Sequence, residues 1–150
     1  MSRHFTPPHA VPPGARAVGH LADLDPASQL AVVALRLWCD GGTEALGRDL
    51  AAAGDGGPAV AESFARFCAH CLASARRPMV RHGAGCPCLG ADEAALAALV
   101  RMAAEGERED AMMLGMVMLR ADAVPAAVGL AQQAGLSLRR LILRGGRVLH

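Results

Sequence analysis

Lysine, asparagine and tyrosine are absent from this 150-residue chain, and isoleucine occurs once, at Ile142. All four residue types have AT-rich codons, so their scarcity points to a GC-rich bacterial genome. The same bias explains why every one of the 15 basic residues is arginine, and it removes any reason to read that arginine as selection for phosphate recognition. Against 14 acidic residues the formal net charge is +1, which excludes a strong general attraction to nucleic acid or to anionic membranes.

Aromatic side chains make up only 3% of the chain, as one Trp and three Phe, so its core must be built from Ala, Leu, Val and Met. Strands are enriched in β-branched and aromatic residues, whereas Ala and Leu are among the best helix formers; the expected class is all-α. No stretch approaches the ~20 uncharged apolar residues of a membrane span, and the first residues carry no apolar run of the kind a signal peptide needs. The expected location is the cytoplasm. With 53% hydrophobic and 19% charged residues the chain has the balance of a packed domain, and its length suits one core burying roughly two-thirds of the unfolded surface.

Residues 1–22 hold Pro7, Pro8, Pro12, Pro13 and Gly14, with His4, His9 and His20 at no helical spacing. They read as an extended Pro- and His-containing arm, followed by a single helical domain over residues 23–150. Asp25-Pro26 opens the first helix as N-cap and first-turn proline. Asp40-Gly41-Gly42 ends it, and Thr43 caps a shorter helix that stops at Gly54-Asp55-Gly56-Gly57-Pro58. Over 59–77 the apolar residues Val60, Phe64, Phe67, Cys68, Cys71, Leu72 and Ala75 form one stripe. Further helices are expected over 92–104 and 108–120, with a sixth capped by Asp122 and stopped at Gly135. Residues 136–150 suit a short helix or a strand, the helix being preferred. Short links make consecutive helices antiparallel, which gives a compact antiparallel bundle or orthogonal array of about six helices.

The chemistry-bearing residues are cysteines. An odd number, five, cannot all pair within one chain, and in a reducing compartment thiols are free, metal-bound or redox-active. Cys68-x2-Cys71 lies on the third helix and Cys86-Pro87-Cys88 at the entrance to the fourth. Two close pairs could supply the tetrahedral thiolate set of a structural zinc ion, with His82 as a fifth possible donor. Cys68 and Cys71 also sit on the apolar stripe, so they could equally be core residues. A third reading is thiol redox chemistry at Cys86 and Cys88, beside a helix N-terminus that favours thiolate, with His82 as base or charge partner.

Met112, Met113, Met116 and Met118 would suit Cu(I) but read better as core filler, and Cys39 beside Trp38 reads as a buried hydrophobe. Asp92-Glu93 and Glu107, Glu109 and Asp110 stand at helix starts, where capping and the helix dipole account for them. No phosphate-binding loop, dinucleotide fingerprint, nucleophile elbow or zinc-protease helix is present. The functional expectation is a helical module with a structural zinc that acts by binding another protein or a second copy of itself. Its alternatives are a thiol-based redox enzyme or sensor, and an interaction protein with no site. Zinc binding predicts about one zinc per chain in protein purified without chelator, with four thiols released only by denaturation or chelation; elemental analysis with thiol titration checks this.

Overall fold

The structure, a computed structural model, describes residues 11–145. Asp25 opens α1 (Pro26–Ala51) as expected, its carboxylate accepting the Ser28 N–H at 3.0 Å. The break expected at Gly41-Gly42 is present, as a sharp kink across which two helical stretches are joined in α1. Gly42 alone leaves the helical region, at φ 80° and ψ −175°, and the helix resumes at once. Glycine makes that conformation accessible. Trp38 Nε1–H spans the kink to Thr43 Oγ1 at 3.2 Å.

α2 (Gly57–Ser74) buries Val60, Phe64, Phe67, Cys68 and Cys71, while Leu72, read from the sequence as part of that stripe, is exposed. The Phe64 and Phe67 rings meet tilted at 60° with centroids 6.1 Å apart, a favourable aromatic geometry. α3 (Ala91–Glu105) stops at Gly106 in the left-handed conformation, and α4 (Arg108–Met118) follows directly. Beyond α2, the Arg76 Nε–H donates to the carbonyls of Met116 and Leu119, which the end of α4 would otherwise leave without partners.

The last helix departs most from expectation. α5 (Val124–Gly145) runs straight through Gly135, and Asp122 lies in a preceding 3₁₀ turn, Ala121–Ala123. Gly135 is buried because α3 packs directly over it: a Cβ at this position would stand 2.8 Å from Ala104 Cβ and 2.9 Å from the Val100 carbonyl oxygen. The glycine therefore permits close helix approach and does not end the helix. The segment read as ambiguous is helical through Gly145, and residues 146–150 lie outside the described part. Among the described residues there are five α-helices, α1 counted as one across its kink, against the expected six.

A small antiparallel sheet was not anticipated. β1 (Ala17–His20) pairs with β2 (Cys88–Gly90), Gly19 opposite Leu89 and His20 opposite Cys88, with an irregularity between Ala17 and Gly19. The part of the N-terminal segment in view is a short strand between two 3₁₀ turns, Pro13–Ala15 and Leu21–Asp23, and it is docked. Leu21 and Leu24 seat it on a small core of Val32, Leu89 and Ala97, separate from the main core that joins all five helices. His20 is exposed, and His4 and His9 lie outside the described residues.

Two further expectations are corrected. Cys39 is exposed, because it sits where α1 turns its last residues before the kink away from the core. Among the methionines, Met112 and Met118 pack on the core, but Met113 and Met116 are 69% and 50% exposed. No helix among the described residues is long and apolar enough to cross a membrane. The α3–α5 contact predicts that Gly135→Ala lowers stability by about 1–2 kcal/mol in denaturant melts, overpacking outweighing alanine's better helix propensity.

Candidate functional site

Arg36 is the single charge in the run from Leu30 to Cys39, on the face of α1 that turns inward, and it is fully buried. Burying a guanidinium costs several kcal/mol unless it is paired and every donor is used. Glu93, the third residue of α3 and equally buried, meets it through two parallel bonds, Nε to Oε1 at 2.7 Å and Nη2 to Oε2 at 2.8 Å. The remaining capacity of both groups is spent on one loop. Arg36 donates to the carbonyls of Cys86 (2.6 Å) and Cys88 (2.7 Å), and Glu93 accepts the N–H groups of His82 and Gly90, each at 3.0 Å.

Asp92 holds the start of the same loop, taking two bonds from Arg77 (2.8 and 3.0 Å) and the Val80 N–H at 2.8 Å. The segment between α2 and β2 is therefore irregular yet anchored along its length. The acids read from the sequence as simple helix caps do cap α3 through the Glu93–Gly90 bond, but their main partners are distant arginines. Burial alone would raise the Glu93 pKa; the bonds from Arg36, Gly90 and His82 outweigh it and bring the carboxyl below its ordinary value. The same pairing raises Arg36 against the opposing effect of its burial.

On this anchored loop Cys86 Sγ lies 3.6 Å from His82 Nδ1, and His82 Nε2 lies 2.9 Å from the Ala15 carbonyl oxygen. A carbonyl only accepts, so Nε2 carries a proton, and in the neutral ring the Nδ1 lone pair faces the Cys86 thiol. A thiol, an imidazole and a carbonyl that orients the ring stand in sequence, an order that nucleophilic catalysis can use. Cys88 stands next to Cys86: its thiol is held above the ordinary value first by its hydrogen bond to Cys86 and then by the charge on Cys86, with Arg36 opposing. Both cysteines are half-buried. Cys86 and Pro87 line a groove of about 850 Å³ together with Leu21 and with Val33 and Leu37 of α1.

Cys68 and Cys71 are elsewhere. Both are buried in the main core on α2, where burial pushes the Cys71 thiol up to about 12 and the Cys68 thiol well above its ordinary value. The structure thus brings together His82, Cys86 and Cys88 and separates them from the helix pair. Among the described residues no group of three or more His, Cys, Asp or Glu side chains is placed to hold a metal ion. Comparison of the chain with protein families, with characterised proteins and with solved structures finds no match.

Arg36 and Ala15 escaped the sequence reading, and Glu93 was read only as a helix-start acid. The one available signal was Arg36 itself, an ionisable residue inside an apolar helical run, which demands a buried partner. Glu93→Gln keeps the shape but leaves Arg36 without its counter-charge, and should cost about 3–5 kcal/mol near neutral pH. Because the native pKa of Glu93 is lowered, its contribution is present above the unfolded carboxyl value and lost as pH falls through the native one. The stability gap between native protein and variant in urea melts should narrow as the pH drops below about 4.5.

Proposed function

We propose that this chain is a thiol–disulfide module in which Cys86 is the nucleophile, His82 its proton acceptor and Cys88 the resolving thiol. The observation that carries the reading is the 3.6 Å approach of Cys86 Sγ to His82 Nδ1, with the ring oriented through Nε2 by Ala15. Cys86 loses its proton to His82 and attacks one sulfur of a partner disulfide; the partner's other sulfur leaves as thiolate and takes up a proton. Cys88 then attacks Cys86 Sγ and releases the partner's second thiol. Cys86 and Cys88 end as a disulfide, oxidised by two electrons, and the partner ends as two thiols. Such a dithiol suits a reducing compartment such as the cytoplasm, where it is regenerated.

Two features support other readings of the same chain. Cys86, Cys88 and His82 share one loop, but their side chains are not placed as a metal-binding group, so zinc would require them to shift together and to find a donor beyond them. Met113, Met116 and Val117 are exposed on α4, a surface suited to another protein or a second copy of the chain.

Alkylation at pH 7, followed by peptide mapping, tests the thiol reading. Cys86 should label faster than the thiol of a short unstructured peptide, and His82→Ala should slow it about tenfold or more. Cys88→Ser should trap a mixed disulfide at Cys86. Labelling of Cys86 at or below the rate of the peptide thiol would overturn the assignment.

A further inference from the structure

Whatever occupies the 850 Å³ groove lies alongside Cys86, because the loop that carries the thiol is part of its lining. Resting on the thiol–disulfide reading above, we infer that the groove is the substrate site of this thiol and that its substrate is a polypeptide segment bearing a disulfide-bonded cysteine beside apolar side chains. Three observations favour that occupant.

The first is the chemistry of the lining. Leu21, Val33 and Leu37 supply aliphatic surface, and Ala22, Ala52, Ala84 and Gly85 leave room between them. Val33 is half-buried yet belongs to neither hydrophobic core, so its apolar face serves the groove and not the fold. The second is charge. Beyond His20 and the Cys86 thiol itself, the ionisable side chains here are Arg48 and Asp49, opposite in sign, and Arg48 is also paired with Glu44 at 3.1 Å. A strongly charged small thiol or a phosphate finds no matching field, whereas an uncharged segment leaves these groups as they are.

The third is size: the groove stands at the upper end of the volumes that hold small ligands, ~300–1,000 Å³, and is large enough for several side chains. Transfer of apolar side chains from water into such a site supplies binding energy, and it holds the partner sulfur in reach of Cys86.

The test follows the oxidation of the native protein by two blocked peptides of equal length. Each carries its cysteine as a mixed disulfide with thionitrobenzoate, one with Leu and Val beside the cysteine and the other with Ser and Gln. Each rate is divided by that of the same protein with hydroxyethyl disulfide, which isolates recognition from thiol reactivity. The apolar peptide should react about tenfold or more faster than the polar one. Val33→Asp should bring that ratio close to one. Leu143→Asp, an exposed apolar position on α5 outside the groove, should keep the native ratio. Equal rates for the two peptides, or a preference that survives Val33→Asp, would overturn the groove as substrate site while leaving the thiol chemistry intact. Failure of every disulfide, the small one included, to oxidise Cys86 and Cys88 would overturn both.

Discussion

The buried bond between Arg36 and Glu93 is the constraint on which the rest of the site depends. A guanidinium and a carboxylate removed from water are stable only if the protein replaces each lost water contact. Here the replacement comes from the backbone of one loop: two carbonyls for the cation and two N–H groups for the anion. The dependence runs both ways. The ion pair needs the loop to complete its hydrogen bonding, and the loop, almost without regular structure and rich in glycine, needs the ion pair to hold one shape. None of the buried side-chain nitrogen or oxygen atoms among the described residues lacks a partner, which is what such a network requires.

From this constraint the properties of the cysteines follow. Those on α2 sit among Leu and Phe side chains, where burial holds them as thiols and makes them packing groups. Those on the loop are anchored by their carbonyls and remain half-buried, beside an imidazole and beside each other. The same residue type thus does two unrelated things in one small domain. The imidazole is oriented from a segment distant in sequence: Ala15 accepts from His82, the Leu21 N–H donates to Pro87, and β1 pairs with the strand that begins at Cys88. Docking of the N-terminal segment is therefore part of building the site.

Much of the fold was legible because its signals are local. Asp25-Pro26 begins α1 and Gly106 ends α3 as their chemistry dictates, and the stripe on α2 places Phe64, Phe67, Cys68 and Cys71 inward. Glycine was read less well, since its local preference is the same whether it ends a helix, bends one or admits a neighbour. Gly42 bends α1 and Gly135 admits α3; only the packing distinguishes them. β1 and β2 are too short to show an alternating pattern of their own, and they exist because each supplies the other's hydrogen bonds.

By itself the sequence determined the helical class, most helix starts, the inward face of α2 and the close spacing of Cys86, Cys88 and His82, because each depends on residues a few positions apart. Tertiary structure decided which thiols share a site, that Cys39 is exposed, and that Glu93 is bonded to a residue 57 positions away as well as capping its own helix. The physical reason is that a buried charge must find its partner wherever the fold provides one, and its identity is absent from local periodicity. Capping alone made an adequate local account of Glu93, and only the packed protein brings Arg36 to it.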